Sequence, residues 1–422
     1  MHGIERVKTV LLRSLPLACA LLAPSRALAA EAPLPSPLDA PTVVRLARER
    51  RPETTAARAR WAAAAERPKV VAALPDPMFA VSADQVPFAM NSIMGSITVQ
   101  QEFPLSGVLG DRRRAAEAEA QRWGADVRRV ALDVELEALG AFYMLAERRG
   151  ETPILEEQID LVGQVVGIAR VHLASGQGME ADVMRLDNER ARLVADRDAL
   201  AAEVRAAEAM LDTSLARSPD ERVPALAWGE DPGEPPHLDE LARQAFAQRP
   251  ELEEARAERA RAGAEIDAME SMYTPMALVR AGPAYQTPEA GFTLMVGVTL
   301  PIFRERLGAS VVEARAMSAM ANADEDAMQR MILGAIASAR EAVIAARTRW
   351  LALDSEIVPR AHLVVESTVG AFATGQAAMI VVLGAARDLR DVRVDAIMAR
   401  ARLGQAEAKL QREVGDMAPR AH

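Results

Sequence analysis

The chain has 422 residues, a net charge of −10 and 26% charged residues mixed along its length, which gives no sign of a nucleic-acid-binding surface. It contains no run of 18 or more apolar residues, so no transmembrane helix is expected. Its one cysteine, Cys19, has no second cysteine with which to form a disulfide within the chain.

Residues 1–29 have the three parts of a secretory signal peptide. Basic residues precede an apolar core at 15–23 and small residues follow it, so we expect cleavage after Ala29. Cys19 lies inside this segment. Attachment of a lipid to Cys19 would need an aliphatic residue three positions earlier, and Pro16 stands there, which disfavours a lipid anchor.

The first half of the mature chain, residues 30–217, begins with a helical pattern, continues with two strand patterns and ends with two further helical patterns. In the second strand pattern Ile97, Val99 and Phe103 alternate with polar residues, which is typical of a strand with one apolar face. The expected elements are a helix over 42–71 interrupted at Pro52 and Pro68, strands over about 78–86 and 96–103, a long helix from beyond Gly107 to about Ala174 with a kink near Pro153, a reversal at Gly176 and a helix over 181–215.

A connector rich in proline and glycine, residues 218–236, leads to a second half, 237–416, with the same order of patterns. Its strand Phe292–Leu300 alternates apolar and polar or small residues even more regularly. The expected elements are a short helix, strands over about 276–285 and 291–300, a long helix over about 306–373 with a kink near Pro359, a reversal at Gly375, a helix over 381–414 and a tail at 417–422.

Short motifs recur between the halves at nearly constant spacing. Offsets of 197 to 199 residues relate four pairs of motifs: Phe103-Pro104 and Leu300-Pro301, Arg51-Pro52-Glu53 and Arg249-Pro250-Glu251, Pro77-Met78 and Pro275-Met276, and Gly176-Gln177 and Gly375-Gln376. A repeat of about 200 residues is too long for a solenoid. The sequence therefore predicts two copies of one structural half, in which strands and long helices occupy opposite ends.

The two hairpins would supply four strands, and strands of about 8 to 12 residues can cross a bilayer when tilted. Four strands cannot close a barrel, and an open edge in lipid leaves backbone groups unpaired at a cost of several kcal/mol each. Three copies would give twelve strands and a lumen, whereas two copies would give a barrel filled by side chains. Aromatic residues concentrate in or beside the hairpins: Phe79, Phe88, Phe103, Tyr273, Tyr285, Phe292 and Phe303. They could form a girdle at the membrane interface, or simply reflect the general preference of strands for aromatic residues.

The duplicated halves, the F-P-L-S-G junction at 103–107, the P-D-P-M stretch at 75–78 and the two Gly-Gln turns resemble the outer-membrane efflux (TolC) family. The resemblance covers essentially the whole chain after the signal peptide. Length and the P-D-P-M stretch look most similar to the branch that serves heavy-metal efflux pumps, the CusC and CzcC type.

The resemblance implies a homotrimer with a twelve-stranded barrel in outer-membrane lipid and a helical tunnel in the periplasm. Such a duct has no catalytic activity and no cofactor, and it receives substrate from an inner-membrane RND transporter through a periplasmic adaptor (membrane fusion) protein. The implied substrate is a heavy-metal cation such as copper, silver, zinc or cobalt. The alternatives are a multidrug or type I secretion duct of the same architecture and, from a different class, a periplasmic coiled-coil scaffold that forms no channel.

In that family the helix-hairpin tips meet the adaptor and form the tunnel entrance. The corresponding docking residues here are Ser175, Gly176, Gln177, Thr374, Gly375 and Gln376. The resemblance also implies acidic residues just after the turns, and the first half has Glu180 and Asp182 there, whereas the second has Val381 and Gly384. Glu180 and Asp182 are thus the candidate entrance gate, and the alternative is an ordinary solvated carboxylate near a positive helix end.

Methionines in or near the hairpins could offer soft thioether ligands to copper or silver, although methionine is also ordinary apolar filler. They are Met78, Met90, Met94, Met269, Met272, Met276 and Met295. We predict no metal site from them. The five histidines show no metal-ligand spacing, and no metalloprotease, phosphate-loop or nucleophile-elbow motif occurs, so no catalytic residue is predicted.

Overall fold

The structure is a computed structural model that describes residues 34–84, 94–219, 221–286 and 289–417. The predicted signal peptide with Cys19, the tail beyond Met417, and Phe88 and Met90 between the first two strands lie outside these residues. Everything described below belongs to the compact unit that begins at Ser36.

The same order of elements occurs twice. The first half forms α1 (Ala40–Arg50), α2 (Pro52–Ala72), β1 (Met78–Asp84), β2 (Met94–Pro104), α3 (Val108–Ala174) and α4 (Glu180–Ser214). The second half forms α5 (Leu238–Gln248), α6 (Pro250–Ser271), β3 (Met276–Gln286), β4 (Glu289–Thr299), α7 (Arg304–Ala352), a π-helical turn (Leu353–Ile357), α8 (Val358–Ala373) and α9 (Met379–Val414). The predicted fold class, mostly helical with a small β part and duplicated halves, is confirmed.

The helix expected over 42–71 is two helices, because Arg51 adopts an extended conformation and Pro52 starts α2. Arg249 and Pro250 repeat this junction between α5 and α6. Both arginines reach the end of the last helix of their half: Arg51 donates to the carbonyl oxygen of Thr213 at 3.5 Å, and Arg249 to that of Glu413 at 3.2 Å. The duplication thus extends to the contacts that join the helices.

The prolines inside the helical patterns act differently from one another. The expected interruption at Pro68 is wrong, since α2 continues through it to Ala72. Helix α3 likewise continues through Pro153 for 67 residues, a length of about 100 Å. In the second half the π-helical turn interrupts the run next to Pro359. Proline lacks the N–H that would bond to the preceding turn, and a π-helical turn is one way to accommodate that loss.

One four-stranded antiparallel sheet joins the two halves, in the order β1-β2-β3-β4. Where β2 and β3 meet, a Cβ atom added to Gly282 would lie 1.9 Å from the carbonyl oxygen of Ile97. Pro283, the next residue, has no N–H to donate to the ladder. Gly282 therefore permits the two backbones to approach each other beside a proline.

The long helices pack against one another. Helix α3 packs against α2, α4, α6 and α9, and α7 packs against α6 and α9. The connector lies along α7 and α9, where Arg347 pairs with Asp231 at 2.5 Å and the guanidinium of Arg400 lies 4.9 Å from the ring centroid of Trp228. In the described part of the chain, no helix combines the length and apolar character needed to cross a bilayer.

Candidate functional site

The first helix-hairpin tip is a tight reversal between α3 and α4. Gly176 has a φ of +77°, the left-handed region that favours glycine. The N–H of Gln177 donates to the carbonyl oxygen of His172 at 2.9 Å, and that of Gly176 to Leu173 at 3.0 Å. These bonds satisfy carbonyl groups that the last turn of α3 would leave open, so the turn is a stable helix cap.

The second tip repeats this geometry between α8 and α9. Gly375 has a φ of +76°, and the N–H of Gln376 donates to the carbonyl oxygen of Ala371 at 2.8 Å. Thr374 and its counterpart Ser175 lie in the same place, one residue before each glycine. The structure thus gives the six predicted docking residues one shared backbone conformation.

Gly178 is a requirement of the first tip that the sequence analysis missed. A Cβ atom at this position would lie 2.9 Å from the backbone nitrogen of Leu173 and 3.1 Å from two atoms of His172. The corresponding residue of the second tip, 199 positions later, is Ala377, which carries a Cβ. The two tips are therefore similar in backbone course but packed differently just after the reversal.

The two tips pack on a common core. Buried apolar side chains from α3, α4, α8 and α9 form one cluster beneath them, which includes Val166, Leu186, Phe372 and Met379. The ring of His172 meets that of Phe372 edge-to-face, with 5.4 Å between the centroids. His172 is thus a packing residue between the tips, and the tips form one unit rather than two independent hairpins.

Two ion pairs that the sequence analysis missed tie α9 to the first half along the helix hairpins. Arg387 donates to both carboxylate oxygens of Glu189, at 2.8 and 2.6 Å, and Arg393 pairs with Glu157. The hydrogen bond from the guanidinium lowers the pKa of Glu189, and Arg393 lowers the pKa of Glu157 in the same way. Glu189 lies on α4 and Arg387 on α9, the second helix of each hairpin, so the pair joins the two hairpins.

The candidate gate residues lie at the start of α4, just after the first turn. Glu180 is exposed, and the side chain of Asp182 is 25% exposed with the guanidinium of Arg185 4.0 Å away. At the matching positions, 199 residues later, α9 has the buried Met379 and the exposed Val381. The matching positions therefore differ in chemistry, acidic in the first half and apolar in the second.

The sheet has one apolar face and one polar face. On the polar face Arg280 donates to Gln100 at 2.9 Å, and the hydroxyl oxygens of Ser82 and Ser96 are 2.7 Å apart. The opposite face exposes large apolar side chains from all four strands: Phe79, Val81, Ile97, Val99, Phe103, Tyr285, Phe292, Leu294, Val296 and Val298. Val81 is 71% exposed and Phe292 70%, so this face is uncovered.

The hairpin methionines that the structure describes do not gather in one place, apart from Met272 and Met276 at the helix end of the second hairpin. Met295 pairs with Arg280 on the polar face of the sheet, Met276 is the first residue of β3, and Met78 is exposed at the start of β1. Among the described residues, no group of three or more His, Cys, Asp or Glu side chains could hold a metal ion.

The second half of the chain resembles a known protein family. Residues 241–416 match the family model described as outer membrane efflux protein. The outer membrane efflux protein BepC of Brucella suis biovar 1 (strain 1330) is 24% identical over 330 residues, which cover 76% of this chain and 72% of BepC.

Solved structures share the fold. CusC superposes with a TM-score of 0.78 at 14% identity, covering 89% of this chain and 92% of that one. The open state of the MtrE outer membrane channel of Neisseria gonorrhoeae superposes with a TM-score of 0.75 at 16% identity, covering 90% and 89%. These similarities support the resemblance to the outer-membrane efflux family and do not single out its heavy-metal branch.

Proposed function

We propose that this chain is the outer-membrane channel of a tripartite efflux system and conducts its cargo passively. The observation that carries the proposal is the two-faced sheet, whose apolar face is uncovered in the single chain and whose polar face carries Arg280 and Gln100. Apolar residues facing lipid and polar residues facing a lumen are the pattern of transmembrane barrels.

The sheet also supports a homotrimer. Among the described strands, β1 pairs only with β2 and β4 only with β3, so both outer edges are unpaired. Unpaired backbone groups in lipid cost several kcal/mol each, so an edge of one copy must pair with an edge of the next. Three copies then supply twelve strands, enough to surround a lumen.

Helices α2, α3, α6 and α7 continue from these strands, and in the assembly they would form the wall of a periplasmic tunnel. The tips at Gly176 and Gly375 would form the end of that tunnel farthest from the sheet. Helix α3 leads from the sheet to the first tip, and α7 with α8 leads to the second. We place the adaptor at the exposed residues of these tips, Ser175, Gly176, Gln177, Thr374, Gly375 and Gln376, and the inner-membrane RND transporter behind it. Exposed Val171 and Met179 beside the first turn supply the apolar surface that a docked protein would cover.

Glu180 and Asp182 are proposed as the acidic part of the entrance. A trimer would carry three copies of each at one level of the tunnel. The apolar Ile380 and Val381 would alternate with them, so the acidic residues would come from one half of each chain only.

Two cargo classes follow from different observations. Heavy-metal cations follow from the likeness of the P-D-P-M stretch at 75–78 to the heavy-metal branch. Organic cargo, as in a multidrug or secretion duct, is favoured by the chemistry of the junction between sheet and helices described below.

The native mass of the protein, extracted with mild detergent from a purified outer-membrane fraction, tests the architecture. A mass near three chains, with ion conductance after reconstitution into a planar bilayer, is expected. A monomer or dimer found in the periplasmic fraction would overturn the channel in favour of the scaffold. We do not expect that result, because a scaffold in the periplasm would expose the apolar sheet face to water.

A further inference from the structure

A cavity of about 1080 Å³ lies where the four strands join the helices. Pro104, Met276 and Thr299 line it, and these residues pair with one another in one row across β2, β3 and β4. Counted along β3, Met276 points to the same side as Arg280, because side chains alternate along a strand. The cavity, called here the junction recess, therefore opens on the polar face of the sheet.

The wall of the junction recess is mostly apolar. Its contributors include Val70 in the last turn of α2, Leu74 just after that helix, Met272 after α6, and Leu307 in the first turn of α7. Leu74 and Met272 are matching positions of the two halves, 198 residues apart, so the recess is built jointly by both. Apolar walls of this extent bind apolar parts of small molecules.

The charged groups of the junction recess are predominantly basic. Arg112 of α3 and Arg306 of α7 line it together with one carboxylate, that of Asp76. Within the described ranges, neither guanidinium has a hydrogen-bonded or ion-paired partner, whereas the neighbouring Arg113 pairs with Glu117 at 2.7 Å. Both guanidinium groups are exposed and available to an anionic head group.

We propose that the junction recess binds amphiphilic anions that carry one alkyl chain, with the chain on the apolar wall and the head group on Arg112 and Arg306. This inference rests on the proposed function, because the polar face of the sheet is a lumen only if copies close the barrel. It names a cargo class for the duct: organic anions with an apolar tail, in preference to metal cations, which the two guanidinium groups would repel.

The test uses the purified full-length protein in planar lipid bilayers. Decanesulfonate is the probe, decyltrimethylammonium tests the sign of the charge, and methanesulfonate tests the alkyl chain, all below concentrations that disturb a protein-free bilayer. Decanesulfonate should reduce the current at a concentration about tenfold lower than either comparison compound needs. The Arg112→Gln/Arg306→Gln variant should need about tenfold more decanesulfonate, since a tenfold change corresponds to about 1.4 kcal/mol of charge-assisted bonding.

The matched control is Arg113→Gln/Arg304→Gln, which removes the same charge from the same two helices at residues that do not line the junction recess. The decanesulfonate concentration that blocks this variant should stay within about twofold of that for the unaltered protein, since the removed charges lie outside the contact. Leu74→Gln is a second variant, which makes only the apolar wall more polar. It should weaken the block by decanesulfonate and leave the block by methanesulfonate unchanged.

The outcomes separate the two proposals. A conducting trimer that decanesulfonate and the cationic probe block equally, or whose block shifts equally in both double variants, would overturn the binding recess and leave the channel intact. Absence of conductance in the unaltered protein would overturn the channel itself.

Discussion

The two helix-hairpin tips have nearly the same backbone and different side chains. Gly176 and Gly375 differ by 1° in φ, and each is followed by a glutamine whose N–H caps the preceding helix. After the turn the first half presents Asp182 and the second presents Val381. The duplication thus preserved what the backbone needs to reverse, while positions free of that constraint diverged.

The helices that lead to the tips differ as well. Helix α3 runs without interruption, whereas the matching run of the second half is divided by the π-helical turn at Leu353–Ile357. Such turns reorganise the hydrogen bonds of a helix locally. The two hairpins therefore differ in the hydrogen bonding of their first helices, even though their ends have the same shape.

The largest expected effect comes from Gly178→Ala, which adds to the first tip the methyl group that Ala377 carries in the second. The new Cβ would lie 2.9 Å from the nitrogen of Leu173, a backbone atom, so the turn itself must shift. Strain of this kind costs about 1–3 kcal/mol. Limited trypsin digestion at Arg170 and Arg185, which flank the tip, should become about tenfold faster, because cleavage follows the population of the opened tip.

The reciprocal Ala377→Gly change is the control. The rate of cleavage near the second tip should stay within about threefold of that in the unaltered protein, because one added glycine destabilises the backbone only slightly. Equal protease resistance of Gly178→Ala and the unaltered protein would show that the two tips tolerate the same residues, and the packing difference would then be without consequence.

A smaller effect is expected from the ion pair that joins the two hairpins, Glu189 and Arg387. Because Arg387 lowers the pKa of Glu189, the pair stabilises tip association above the ordinary carboxyl pKa of about 4.3. This stabilisation is lost as the pH falls through the lowered pKa. The open probability of the reconstituted channel should therefore be constant above about pH 5 and rise at lower pH.

The Glu189→Gln variant should raise the open probability at pH 7 about threefold, within the range for a partly exposed pair. Its remaining pH dependence should come in part from Glu157, whose pKa Arg393 lowers. Exchanging the partners, as Glu189→Arg/Arg387→Glu, should restore closure. A double variant as open as Glu189→Gln would mean that the pair does not hold the tips together.

The parts predictable from sequence were those fixed by local physical rules. Period-two alternation located the strands, and glycine at the reversals located both tips, because left-handed backbone favours glycine. The contact between Glu189 and Arg387 has no local signal, because the two residues lie on different helices far apart in the sequence. The junction recess could not be predicted, since four separate segments build it. Pro68 was misjudged because a helix can lose one hydrogen bond where its other contacts, here between α2 and α3, hold it in place.

The smallest expected effect concerns the acidic residue that only the first half supplies. In a trimer Asp182→Ala removes three carboxylates from the entrance, where they would attract cations and repel anions. The cation-to-anion permeability ratio, measured from the reversal potential across a salt gradient, should fall about twofold, because solvent and salt screen charges in a wide aqueous entrance. Val381→Asp should raise the ratio by a similar factor, since it gives the second half the missing carboxylate. Asp198→Ala removes an exposed carboxylate farther along α4 and should leave the ratio unchanged. If Asp182→Ala and Asp198→Ala gave the same ratio as the unaltered protein, Asp182 would be an ordinary helix-start residue, and the divergence between the two tips would have no role in ion selection.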